Sequence, residues 1–219
     1  PMHNALDYKV GWMNHNYIVN YKTHKFKLLS NPPKIKKINS KGLYVLTKIQ
    51  LHNFDKATFG FKESKLFVPT KSAAYFKNRF LNHPIYKYQV FGILKDKEIK
   101  SLIATRLVSK NGLKAIRLVD FVGDPNSLYD IAAELQELLL AENAEYLDLY
   151  NIGLDQNILK NNGFLLRKKD STTIVPNYFE PFEPCNVELN YAYRFNQKDD
   201  YRHPLIFKAD GDQDRPNIV

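Results

Sequence analysis

"LVDFVGDPNSLYDIAAELQELLLAENAEYLDLYNIG" (residues 118–153) reads as strand, helix, strand. Leu128, Ile131, Ala132, Leu135, Leu138 and Leu139 recur at i, i+3, i+4, i+7, i+10 and i+11, which is one face of a helix. Ser127 is a suitable N-cap, with Asp130 as the acidic half of a capping-box-like start, so the spacing predicts a helix from there to about Asn143. The aliphatic runs on either side, "IRLVDFV" and "EYLDLYNIG", are strand-like.

Upstream, "YKYQVFGIL", "IKSLIATRLV" and "LKAIRLVDFV" are three strand signals separated by the polar turns "KDKE" and "SKNG". Asn111-Gly112 is a strong hairpin signal because both residue types tolerate positive φ, so the three form an antiparallel meander. Before them "SAAYFKNRFLN", from Ser72, is helical and is stopped at His83-Pro84. Downstream, "DQNILKNNG" predicts a short helix closed by Gly163. A strand follows around "LLRKKDSTTIV", and "VELNYAYRF" alternates as a half-buried strand. From residue 72 the order is helix, three antiparallel strands, long helix, strand, short helix, two strands: a mixed α/β fold with a mostly antiparallel sheet.

The whole chain has 219 residues, a net charge of +9 and an ordinary hydrophobic fraction of 44%, which excludes disordered and fibrous classes. No run of 18 or more apolar residues and no signal peptide is present, so no transmembrane segment and a cytoplasmic location are expected. Cys185, the single cysteine, excludes an internal disulfide and a cysteine-built zinc site. Residues 1–71 carry 13 Lys/Arg against 3 Asp/Glu, whereas 72–219 carry 19 against 20. The basic third is read as a solvated lysine-rich surface, with anion binding as the alternative. It is lysine-rich without a nucleic-acid motif, so no stable nucleic-acid partner is expected. Pro1 is not a natural initiator, so a cleaved tag or a fragment is read there. "ALDYKVGWMNHNYIVN" (5–20) and "NGFLLRKKDSTTIVPN" (162–177) both run from a polar lead through an aliphatic strand to an "IV(P)N" ending, so residues 1–71 read as the remnant of a first copy ahead of a 72–219 domain, or as coincidence.

From Ser72 to Phe207 this order resembles the GNAT superfamily of acyl-coenzyme A dependent N-acyltransferases. "YFKNRFLNHPIYKY" (75–88) and "KADGDQDRPN" (208–217) resemble segments of acetyltransferase-like proteins found with bacterial surface-polysaccharide genes. The resemblance implies acetyl-CoA or another acyl-CoA as donor. It implies a nucleotide-linked amino sugar or glycan as acceptor, in polysaccharide biosynthesis, and allows a homodimer. Val122, Gly123, Ser127 and Asn151 are the positions it places against the coenzyme. One departure is visible: the Gly-rich pyrophosphate loop of the family is "FVGDPNS" here, where Asp124 adds repulsive charge and Pro125 has no N–H. A GNAT-shaped binding or scaffold protein without catalysis is therefore the alternative.

The candidate catalytic residues are Asp120, His83 and Tyr150. Unbroken alternation puts Asp120 on the apolar face of Ile116, Leu118 and Val122, where burial raises a carboxylate toward a working base, unless Arg106 or Arg117 pairs with it. His83 is either a base near neutral pH or a helix cap. The resemblance makes Tyr150 a proton donor to the leaving thiolate, with packing as the other role. Arg79, one turn before His83, could face a carboxylate or phosphate. Asp210, Asp212, Asp214 and Arg215 close the chain as acceptor-recognising groups or as a locked turn. An EF-hand is excluded because no bidentate Glu follows; a looser Ca²⁺ or Mg²⁺ site on the three aspartates is the minor alternative, and no metal is expected.

Overall fold

The computed structural model describes residues 8–34, 36–39, 42–54, 63–176, 183–195 and 202–211. In chain order the strands are β1 (Lys9–Trp12), β2 (Asn14–Val19), β3 (Val45–Ile49), β4 (Phe67–Val68), β5 (Gln89–Lys95), β6 (Glu98–Lys110), β7 (Leu113–Gly123), β8 (Tyr146–Ile152), β9 (Leu165–Leu166), β10 (Asn190–Tyr193), β11 (His203–Pro204) and β12 (Ile206–Phe207). The helices are α1 (Leu51–Phe54), α2 (Ala73–Phe76) running into a π-helical turn at Lys77–Leu81, α3 (Pro125–Asp130), α4 (Ala132–Glu142) and α5 (Gln156–Asn161). No described helix is long and apolar enough to cross a membrane.

The expected mixed α/β fold, with its mostly antiparallel central sheet flanked by helices, is present. The main sheet runs β3-β5-β6-β7-β8-β2-β9, with β12 added to β8. All its pairings are antiparallel except β7 with β8. The meander forms because Asn111 and Gly112 both take positive φ, 51° and 78°, and fold β6 back onto β7. Strands β2 and β3, both from the basic first third, lie inside this sheet: β3 extends its β5 edge and β2 sits between β8 and β9. The two stretches compared as copies thus meet directly, with Asn16 opposite Leu166 and Tyr17 opposite Leu165. "VELNYAYRF" contributes β10, which pairs with β1 in a separate two-stranded ribbon. Of "LLRKKDSTTIV" only β9 and one bridge, Ser30 to Ile174, are extended pairing.

The expected single helix is two. Asp124, not Ser127, caps α3, accepting from Asn126 N–H at 2.9 Å with Pro125 in the first turn. Ile131 leaves helical geometry (φ −93°, ψ 14°), α4 restarts after it, and Asn143 ends α4 in the left-handed region. The apolar stripe is nevertheless used as read. Leu128, Ile131, Ala132, Leu135 and Leu139 are buried against Ile103, Ile116, Leu118 and Leu149 of the sheet. Each fully buried leucine there contributes about 1.5–3 kcal/mol. On the other side Phe76 and Phe80 pack on Val90, Leu102, Ala104, Val119 and Val122.

Candidate active site

Strands β7 and β8 stay together for three residue pairs only: Ile116 with Leu147, Arg117 with Asp148, and Leu118 with Leu149. Beyond Leu118, β7 continues beside β6 to Gly123 and leaves β8. The released edge of β8 is taken by β12, with Phe207 opposite Asn151 and Ile206 opposite Ile152. A gap thus opens between two neighbouring strands, and the chain's own residues 205–211 enter it.

A β-bulge sits at the parting. Thr105 faces Leu118 and Ala104 faces Asp120, so β7 holds one extra residue, Val119. A bulge re-aims the side chains after it. Ile116 and Leu118 belong to the helix-side core, but Val119 and Val122 pack with Phe76 and Phe80. The expected sharing of one face by Asp120, Ile116 and Leu118 is therefore corrected: the bulge turns Asp120 to the Phe76 side. Arg106 and Arg117 are not its partners either, since Arg106 stacks over Tyr86 and Arg117 bonds Asp148.

The partner of Asp120 is Lys71. Asp120 is fully buried, and its Oδ1 accepts from Lys71 Nζ and from the Phe121 N–H at 2.8 Å. Its Oδ2 accepts from Tyr75 OH at 2.9 Å. Lys71 Nζ also donates to Asp210 Oδ2 at 2.9 Å and to the Phe121 carbonyl at 3.2 Å. Asp210 in turn accepts from Phe207 N–H at 2.8 Å, and Arg79 donates to the Ala209 carbonyl at 2.7 Å. α2, β7 and the 207–210 turn thus converge on one polar cluster. A narrow cleft of about 10 Å³, lined in part by Phe67, Pro69, Lys71, Phe121, Gly123 and Leu205, reaches it. It has room for about one water.

Burial pushes the Asp120 carboxyl up to about 6, against the pull of Lys71. Burial also opposes the Lys71 charge, but Asp120 and Asp210 outweigh it and hold the ammonium above its ordinary pKa. Burial and the two carboxylates raise the Tyr75 phenol, which stays protonated and donates.

The cluster gathers Asp120, Asp210 and Arg79. The other sequence candidates stand elsewhere. His83 Nδ1 accepts from Ile85 N–H (3.2 Å) and Tyr86 N–H (2.9 Å), and its ring stacks on Tyr86: it caps the turn after the π-helical segment. That segment also breaks the simple four-residue phasing between His83 and Arg79. Tyr150 donates to the Val187 carbonyl at 2.9 Å and stacks on His15 at 4.2 Å, in a cluster with Met13 and Leu189. Val122 is core. Asn151 is fully buried between Asn16 and Gln156, donating to Asn16 Oδ1 at 2.7 Å. Asp212, Asp214 and Arg215 lie outside the described residues. No group of three or more His, Cys, Asp or Glu suited to a metal occurs among the described residues.

The start of α3 does not fit a coenzyme pyrophosphate. A phosphate there needs free N–H groups. The Asp124 carboxylate already bonds Asn126 N–H, and Ser127 turns inward, its Oγ 2.6 Å from Ser101 Oγ and 2.7 Å from the Asp124 carbonyl. Gly123 is needed for packing: at φ 126° a Cβ would overlap Ser101. The Phe121 N–H, on the strand just before it, is held by Asp120.

Sequence reading missed Lys71, Tyr75 and a second buried network. His15 Nε2–H donates to Asp148 Oδ2 at 3.0 Å while its Nδ1 accepts from Arg167 Nε at 3.0 Å; Arg117 donates to the same Asp148 oxygen at 3.1 Å. This network ties β2 to β8 and to the end of β9. Burial lowers the His15 pKa, so the ring is neutral there. For Tyr75 a signal existed: it lies in the "YFKNRFLNHPIYKY" stretch.

No protein-family model matches the chain, and no curated protein matches it. Solved structures do. A GCN5-related N-acetyltransferase from Anabaena variabilis matches at 11% identity, over 76% of this chain and 41% of its own, with a TM-score of 0.47. A conserved protein of unknown function from Staphylococcus epidermidis matches at 12% identity, over 76% and 62%, with a TM-score of 0.48. N-myristoyltransferase from Saccharomyces cerevisiae, solved with bound myristoyl-CoA, matches at 10% identity, over 73% and 52%, with a TM-score of 0.44. The chain thus spans less than two thirds of each.

Proposed function

We propose that the protein is an N-acyltransferase whose chemistry takes place at Asp120, in the gap between β7 and β8. The observation that carries this reading is the parting of the two strands after Leu118 and Leu149, with a buried carboxylate of pKa about 6 on β7 just beyond the parting. Such a carboxylate suits proton removal from an ammonium at neutral pH. In the transfer, the acceptor nitrogen bonds to the acyl carbon and the carbon–sulfur bond of a thioester breaks. Asp120 takes the first proton from the ammonium, the second proton, lost from nitrogen as the amide forms, passes through solvent to the departing thiolate, and Tyr75 steadies the carboxylate. An acyl-CoA is the donor implied by the sequence resemblance. Because the start of α3 is capped by Asp124, its nucleotide end would be held elsewhere. The acceptor class, an amino sugar linked to a nucleotide, rests on the resemblance of residues 75–88 and 208–217. The buried Arg79 Nε, which has no hydrogen-bond partner among the described residues, is compatible with such a hydroxyl-rich or phosphorylated acceptor. Amine-dependent thiol release, abolished in Asp120→Asn, tests this.

A second reading is a non-catalytic, GNAT-shaped binding protein. It is favoured by one observation: β12 pairs with β8 where β7 has left, so the gap is already filled by the chain. A thermal-shift titration separates the two. Stabilisation by millimolar acetyl-CoA supports the transferase, and no response supports the binding protein.

A further inference from the structure

The Lys71 ammonium is surrounded by Asp120 Oδ1, Asp210 Oδ2 at 2.9 Å, the Phe121 carbonyl at 3.2 Å and the face of Phe207, whose centroid is 5.2 Å away. These groups come from distant parts of the chain, and together they satisfy a primary ammonium on every side: anions, a carbonyl and an aromatic face. Two buried carboxylates around one ammonium exceed what a structural ion pair needs, and burying the second is costly. The ammonium arrives on a flexible side chain from the loop ahead of α2 rather than from the sheet. The cleft lined by Phe67, Pro69 and Leu205 ends on this same side chain. Arg79, which donates to the Ala209 carbonyl next to Asp210, keeps a buried Nε without a hydrogen-bond partner among the described residues.

We propose that Asp120, Asp210, the Phe121 carbonyl and the Phe207 ring form a binding site for a primary ammonium group, and that Lys71 fills it as an internal stand-in for the ammonium of an amine substrate. The substrate part of this rests on the acyl-transfer reading; the ammonium site does not. For an amine to enter, the Lys71 side chain withdraws along the cleft and the incoming nitrogen takes over its contacts, next to the carboxylate that removes its proton. Arg79 Nε then meets an oxygen of the substrate body. Neutral or acylated amines, which lack the charge, are excluded.

The test uses wild type and Lys71→Ala, followed by thermal denaturation and circular dichroism in n-butylammonium chloride, glucosamine hydrochloride, N-acetylglucosamine and sodium chloride. Butylammonium and glucosamine should each raise the Lys71→Ala midpoint saturably. N-acetylglucosamine and sodium chloride should not, and wild type, where Lys71 competes for the site, should respond to the two amines only weakly and at higher concentration. If Lys71→Ala is unfolded alone, recovery of its native spectrum by both amines is the same positive result. The ammonium site is overturned if butylammonium neither shifts nor refolds the variant, or if wild type responds as strongly. The stand-in role is overturned if butylammonium works and glucosamine does not. None of these outcomes needs acyl transfer, so a protein that binds amines without transferring an acyl group would remove the proposed function and leave this site standing.

Discussion

Lys71 and Asp120, 49 positions apart, form an ion pair with both side chains sealed from water, at 4% and 0% exposure. It joins the loop before α2 to the free end of β7 and so closes the gap between β7 and β8 from one side. Removing one partner leaves the other charged and buried. Lys71→Met should therefore lower stability by about 3–5 kcal/mol, as for other broken buried pairs, measured by urea denaturation. Asp120→Asn should cost less, because the amide oxygen still accepts from Lys71 and the Phe121 N–H, while the Tyr75 hydroxyl turns to accept from the amide NH2.

The pH dependence of stability should split between two buried groups of opposite sign. Asp120 has its folded pKa raised from 3.8 to about 6, so its contribution is complete at low pH and is lost as pH rises through about 6. His15 is lowered from 6.5, so its contribution is complete above that value and is lost as pH falls through the depressed one. Between them the effects oppose. The melting temperature of Asp120→Asn should fall more steeply than that of wild type on acidification from pH 6.5 to about 4.5, and that of His15→Gln less steeply.

Gly153 carries the return of the C-terminal segment. It has φ 96°, and a Cβ there would overlap the Pro204 carbonyl. Gly153→Ala should shift β11 and β12 outward and cost about 1–3 kcal/mol. Hydrogen exchange at the Phe207 amide, held by Asp210 in the native protein, should accelerate before the sheet amides do. Unchanged protection at Phe207 would mean that the segment is not seated through Gly153.

The capped start of α3 makes a prediction about the donor. If Asp124 keeps the pyrophosphate away, little binding energy comes from it. An acetylated pantetheine thioester should then serve within about tenfold of acetyl-CoA in kcat/KM, a difference of about 1.4 kcal/mol at most. A much larger preference for the intact coenzyme would place its phosphates in a real cradle.

What the sequence disclosed depended on how local the cause was. The apolar stripe from Leu128 to Leu139 and the Asn111-Gly112 turn are decided within a few residues, and both formed as read. Asp124-Pro125 carries an equally local cap signal three residues ahead of Ser127, and it is the one the helix uses. The bulge at Val119 has no local signature, so alternation sent Asp120 to the wrong side. The entry of β2 between β8 and β9 is a pairing across more than 120 positions, which a single sequence does not encode visibly. Lys71 was hidden for a different reason. It closes a lysine-rich third whose other lysines suit a solvated surface, and only the fold sets it against Asp120 and Asp210.

The most direct measurement is thiol release from acetyl-CoA, followed with and without glucosamine, in wild type, Lys71→Ala and Asp120→Asn. Release should depend on the amine in wild type, increase in Lys71→Ala, and fall by about a hundredfold or more in Asp120→Asn. Release that ignores the amine, or that continues unchanged in Asp120→Asn, would contradict it.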